Sequence, residues 1–315
     1  MLGADLREET LAFNEQLRAL LATVPGVETV APEVTRRARY EGRSIFPAPV
    51  FLDEARWVDV PSRGGGLRVR VIAPDGEAKG VYLHIHGGGW TIGAPDLHDA
   101  DLSRLARDTG LVVASPEYRL APEHPYPAAP DDCEDVALWL RGGGAAELGA
   151  PAVLSIGGES AGAHLAAVTM LRFRDKHGAP DAFRAANLVY GAFDLSGTPS
   201  RWLLADAPVL TDAGMTWFTD NYLPEHHGDE RHDPDISPLF ADLRGLPRAL
   251  FTVGSADPLL DDSLFMAARW EVAGNDTDLR VYAEGVHGFN AFPIGIGVAA
   301  NAAQTEFLKS SFLKG

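Results

Sequence analysis

Gly158-Glu159-Ser160-Ala161-Gly162 follows directly on the apolar run Ala152-Val153-Leu154-Ser155-Ile156-Gly157. A serine on a sharp turn between a strand and a helix has a strained backbone, and small residues two positions to either side let neighbouring main chain pass close by. Such a hydroxyl is held out toward a substrate, so Ser160 is a candidate nucleophile. A second strand-like run, Gly80 to Ile85, ends in His86-Gly87-Gly88-Gly89-Trp90. Attack on a carbonyl places negative charge on its oxygen, and preorganised backbone N–H groups hold that charge at little cost in reorganisation. Residues without Cβ let successive amides turn inward, which makes Gly88 and Gly89 candidate donors, with Gly87 as a further one. The amide of Ala161, next to the nucleophile, completes the set.

A serine hydroxyl is a weak nucleophile at neutral pH and requires a base, itself held in the right tautomer by an acid. The buried strand Arg248 to Gly254 is followed by Asp257-Pro258-Leu259-Leu260-Asp261-Asp262, and a strand at Leu279 to Tyr282 is followed by Glu284-Gly285-Val286-His287-Gly288-Phe289. His287 is the candidate base. Asp257, Asp261 and Asp262 are candidate acids. Catalysis by a neutral imidazole is expected to rise through the mildly acidic range, where histidines ordinarily titrate. His86 alternates with His84 on the strand and is expected to shape the glycine loop, and His164, one helical turn past the serine, to be structural.

The elements that must position these groups alternate. Strands at about 66–73, 80–86, 111–115, 152–158, 187–191, 248–254 and 278–283 are separated by helix-like runs, which implies a mainly parallel sheet covered on both faces. Antiparallel pairing is expected around Pro61 to Gly66. Asp5 to Thr23 has leucines at helical spacing, ended by Pro25-Gly26. From about Thr198 to Leu223 the alternation is interrupted by a segment rich in large apolar side chains.

On these residues the chain resembles a bacterial member of the hormone-sensitive lipase family of α/β-hydrolase esterases, also called family IV. The motifs that carry the resemblance are His86 to Trp90, Glu117-Tyr118-Arg119-Leu120-Ala121-Pro122-Glu123 with Pro127-Ala128-Ala129, Gly158 to Gly162, Asp257-Pro258-Leu259 and His287-Gly288-Phe289. The order Ser160, Asp257, His287 is the order of that superfamily. The resemblance implies an α/β-hydrolase fold, mostly parallel sheet flanked by helices, with a helical cap from residues 1–50 and an insertion at about 195–235 in a catalytic domain spanning 51–315. It implies hydrolysis of short to medium acyl esters through an acyl-enzyme, with Asp257 as the acid and no cofactor. Relatives commonly pair as homodimers. Where the family usually has aspartate or threonine before the nucleophile, this chain has Glu159. Trp90, Met215, Trp217, Phe218 and Leu259 are the candidates for lining the substrate pocket.

Composition limits the alternatives. With 315 residues, 46% of them hydrophobic, the chain can bury a full core. A net charge of -17 argues against nucleic acid and anionic membrane surfaces as partners. No apolar run reaches the length of a membrane span, and the first residues lack the pattern of a secretory signal, so a cytoplasmic location is expected. His226, His227 and His232 lack the tight spacing of a metal site, and none is expected. Two other functions are compatible with the motifs: a non-catalytic small-molecule receptor on the same fold, which the presence of His287 argues against, and cleavage of amides, carbamates or lactones by the same groups.

Overall fold

The structure is a computed structural model describing residues 4–313. The sheet opens with an antiparallel hairpin of β1 (Arg56–Ser62) and β2 (Gly65–Ile72), in which Ser62 pairs with Gly65. The remaining strands are β3 (Val81–Ile85), β4 (Val112–Pro116), β5 (Leu154–Glu159), β6 (Phe183–Val189), β7 (Arg248–Gly254) and β8 (Thr277–Tyr282). Their spatial order is β1-β2-β4-β3-β5-β6-β7-β8, with β2 antiparallel to β4 and every later pair parallel. β3 and β4 are buried at every position, because helices cover both faces of a parallel sheet and leave no polar side.

Helices α1 (Ala4–Leu21), α2 (Pro32–Tyr40), α3 (Asp99–Thr109), α4 (Ala128–Trp139), the short α5 (Ala145–Glu147), α6 (Ala161–His177), α7 (Pro199–Leu203), α8 (Asp212–Tyr222), α9 (Leu260–Val272) and α10 (Gly295–Leu313) fill the intervals. Leu83 and Ile85 of β3 belong to the same core cluster as Cys133 of α4, Ala163 of α6 and Met266 of α9. Tyr82 points the other way, into a cluster with Leu102 and Ala106 of α3 and Phe307 and Leu308 of α10. This two-sided burial follows from the period of two along a strand. α6 is buried from Ala161 through Phe173, which places the helix behind Ser160 at the centre of the molecule.

One strand differs from the sequence expectation. β6 begins at Phe183, not Asn187, because Ala185 and Ala186 have no strand preference of their own and enter the sheet through burial against β5 and β7. It ends at Val189, where Tyr190 turns the chain at φ 35°.

The segments before β1 and between β6 and β7 lie together at one end of the sheet. Arg18 of α1 donates to the carbonyl of Asp206 at 3.2 Å, and Arg36 of α2 donates to the carbonyls of Thr91 and Ala121 at 2.8 and 2.9 Å. Among the described residues no helix is long and apolar enough to cross a membrane.

Candidate active site

Ser160 joins β5 to α6 with φ 55° and ψ −121°, a region that side-chain-bearing residues adopt at a cost of about 1–3 kcal/mol. The turn is over-determined by its surroundings. The Ser160 amide donates to the carbonyl of Val189 at 2.8 Å, and its carbonyl accepts from His164 at 3.1 Å. The carbonyl oxygen of Ile85, at the end of β3, presses on both Gly158 and Gly162, and a Cβ at either position would collide with it. That contact is the physical reason for glycine at both ends of the motif.

The loops after β7 and β8 are stapled together at their bases. Ser255 donates from its amide to the carbonyl of Tyr282 at 2.8 Å, Ala256 to that of Gly285 at 3.0 Å, and the Glu284 amide donates to Ser255 Oγ at 2.9 Å. From α1, Asn14 Nδ2 donates to the Glu284 carbonyl at 2.8 Å, bracing the segment before His287. The result is a continuous chain of hydrogen bonds. His287 Nδ1 lies 2.9 Å from Asp257 Oδ2, and His287 Nε2 lies 3.0 Å from Ser160 Oγ. A carboxylate only accepts, so Nδ1 carries the proton and Nε2 is free to accept from the serine. Asp257 is fully buried, and its other oxygen accepts from the Leu259 amide at 2.8 Å. Asp261 and Asp262 are committed elsewhere: Asp261 accepts from the Ser200 amide, and Asp262 from the amides of Phe193 and Asp194 and the hydroxyl of Thr198.

In the glycine loop, Gly88 and Gly89 have φ of 115° and 56°. A Cβ on Gly88 would strike the carbonyl of Ile92, and one on Gly89 would strike the ring of Phe218. The amides of Gly88, Gly89 and Ala161 have no hydrogen-bond acceptor among the described residues, and Gly89 and Ala161 border the cleft that contains Ser160. Gly87 is a correction to the sequence expectation. Its amide is already used, donating to Glu159 Oε1 at 2.8 Å. His86 stacks on Tyr118 at 4.2 Å, and burial pushes its imidazole down to about 3, so it is a neutral brace for the loop. His164 is also buried and neutral, pushed down to about 4 by burial. It accepts from the Trp90 indole at 3.1 Å and donates to the carbonyl of Ile236 at 2.8 Å.

The cleft is narrow and partly open to solvent, and it runs from Ser160 beneath α7 and α8. Trp90, Met215, Phe218 and Leu259 line it, as do Ala192 and Leu210. Trp90 is held flat against Tyr222, ring centres 4.5 Å apart. Trp217 does not line the cleft and packs edge-on against Phe218. Helical geometry explains the split: Met215, Phe218 and Thr219 are three and four residues apart and share one face of α8, which Trp217 leaves. Sequence reasoning missed the polar end of the cleft, where Thr198, Arg201 and Asp262 lie. Only the Asp261-Asp262 doublet offers a signal there, and as a local pattern it reads as a competing acid.

Comparison with known proteins agrees with this fold. A family profile described as alpha/beta hydrolase fold matches residues 82–291. Carboxylic ester hydrolase LipN of Mycobacterium tuberculosis is 37% identical over 92% of this chain and 80% of its own length. Carboxylesterase NlhH of the same organism is 35% identical over 94% of this chain and 96% of its own. Among solved structures, the hyperthermophilic esterase from the archaeon Pyrobaculum calidifontis superposes with a TM-score of 0.86 at 31% identity, covering 95% of this chain and 97% of that one. On these grounds the chain belongs to the α/β-hydrolase-fold family, in its hormone-sensitive lipase-like branch.

Proposed function

We propose that this protein is a serine carboxylesterase cleaving short to medium acyl esters. The observation that carries this reading is the Ser160–His287–Asp257 hydrogen-bond chain at 3.0 and 2.9 Å beside amides that lack an acceptor. Its named relatives being ester hydrolases supports the same reading.

Ser160 Oγ attacks the ester carbonyl as its proton passes to His287 Nε2, and Asp257 stabilises the imidazolium through Nδ1–H. The negative charge that develops on the carbonyl oxygen is taken up by the amides of Gly88, Gly89 and Ala161, with the N-terminus of α6 adding its partial positive charge. The bond to the alcohol oxygen breaks, His287 returns the proton to that oxygen, and the acyl group remains on Ser160. Water then attacks, giving its proton to His287, and the acid departs as Ser160 recovers its own. The segments around α1 and α2 and between β6 and β7 act as a cap. By excluding water they raise the strength of the amide–oxyanion interaction.

The test is turnover of p-nitrophenyl butyrate by the pure protein and by Ser160→Ala. Turnover is expected for the first and a loss of about 10⁵-fold or more for the second. Release no faster than buffer rejects the reading and favours a receptor, and undiminished release by Ser160→Ala rejects Ser160 as the nucleophile.

A further inference from the structure

Glu159 has no place in the proton path, yet its carboxylate sits at a junction of three elements. It ends β5, immediately before Ser160, and is only 20% exposed. Oε1 accepts the Gly87 amide at 2.8 Å, and Oε2 accepts His84 Nε2–H at 2.9 Å. His98, just before α3, brings its Nε2 to 3.5 Å from Oε1. His84 is tied in turn to Ser115 of β4, with Nδ1 3.2 Å from Oγ. Burial alone would raise the carboxyl, but the two imidazoles and the hydrogen bonds outweigh it and hold it at about 2.

Each peptide unit leading to the candidate oxyanion amides is clamped. The His86 carbonyl accepts from the Tyr118 hydroxyl at 2.9 Å, the Gly87 amide donates to Glu159, and the Gly87 carbonyl lies 2.8 Å from His86 Nδ1. The next amide, that of Gly88, has no acceptor among the described residues. Glu159 is therefore a direct side-chain tie between the turn that carries Ser160 and Ala161 and the loop that carries Gly88 and Gly89.

The geometry points to Glu159 as a positioning residue for the oxyanion site, holding the two halves of its donor set at a fixed separation. The inference rests on the ester-hydrolase reading. Charge on the carbonyl oxygen is small in the bound ester and large in the transition state, so a displaced amide weakens the transition state far more than substrate binding. Loss of the tie should lower kcat and leave KM nearly unchanged.

Glu159→Gln and Glu159→Met are close in size, and only glutamine keeps an oxygen for the Gly87 amide. With p-nitrophenyl butyrate, Glu159→Met is expected to lose about 10–100-fold in kcat with KM within about threefold, and Glu159→Gln to stay within about fivefold of the unsubstituted protein. A full kcat in Glu159→Met, a loss expressed only in KM, or an equal loss in Glu159→Gln overturns the inference. Should Glu159→Met fail to fold by circular dichroism, Glu159→Ser, too short to reach Gly87, is judged by the same criteria. If the unsubstituted protein releases no p-nitrophenol, it is the ester-hydrolase reading that fails.

Discussion

At the scale of single residues, this site separates carboxylates by environment. Asp257 and Asp262 are fully buried and Glu159 is partly so, and each is assigned by the donors around it. Asp257 faces an imidazole, Glu159 faces two imidazoles and an amide, and Asp262 faces three neutral donors with no cation in hydrogen-bond contact. Burial therefore wins at Asp262 and pushes it up to about 7. A native value above the unfolded one means that the folded protein keeps a proton the unfolded chain releases. The stability this contributes is complete below about pH 4 and is lost as pH rises through about 7. Asp262→Asn keeps an oxygen for the amides of Phe193 and Asp194 and can donate to Thr198. Between pH 5 and pH 8 the unsubstituted protein is expected to lose about 1–3 kcal/mol relative to Asp262→Asn, measured by urea unfolding. Parallel stability curves would mean that the three donors keep the carboxylate ionised throughout.

At the scale of elements, the site depends on strand ends meeting helix starts. β3, β5, β7 and β8 each deliver one loop to the same edge of the sheet, and α8 closes over them, with the Phe218 ring against Gly89. The contact excludes any side chain at Gly89 and sets one wall of the cleft. Removing that ring lengthens the apolar channel. Each additional buried methylene is worth about 0.8 kcal/mol, so if the freed space buries about two of the four methylenes that separate octanoate from butyrate, Phe218→Ala is expected to raise the ratio of kcat/KM for p-nitrophenyl octanoate over butyrate by about tenfold. An unchanged ratio across the acyl series would show that the acyl chain does not run beneath α8. The richness of this segment in large apolar side chains marked Phe218 and Trp217 alike as candidates for the pocket, and only the phase of α8 puts Phe218 in the cleft and Trp217 outside it.

At the scale of the whole molecule, a net charge of -17 and a dense set of arginine–carboxylate pairs act in opposite directions. Arg172 alone reaches Asp131, Glu134 and Asp235 at 2.7, 3.0 and 2.6 Å. Close, partly buried pairs of this kind are weakly screened, whereas repulsion among distant surface carboxylates falls as the Debye length shortens from about 30 Å at 0.01 M to about 8 Å at 0.15 M salt. Raising NaCl over that range is expected to increase the melting temperature by a few degrees, by scanning calorimetry. A decrease would show that exposed ion pairs outweigh the net repulsion, contrary to their usual small worth.

The sequence by itself determined the chemistry and its order along the chain. The glycines around Ser160, the glycines after His86 and the strand-loop positions of Asp257 and His287 are local signals, because each reports a backbone conformation or an element boundary set by near neighbours. Tertiary structure decided which groups converge. Three aspartates within six residues were equivalent as local patterns, and only the stapling of the β7 and β8 loops brings Asp257 to His287 and sends Asp261 and Asp262 to the segment after β6. Gly87 likewise looked like its neighbours until the carboxylate of Glu159 was seen to occupy its amide. These outcomes depend on side chains meeting across distant parts of the chain, and no periodicity or motif in one segment encodes the partner that another segment will bring.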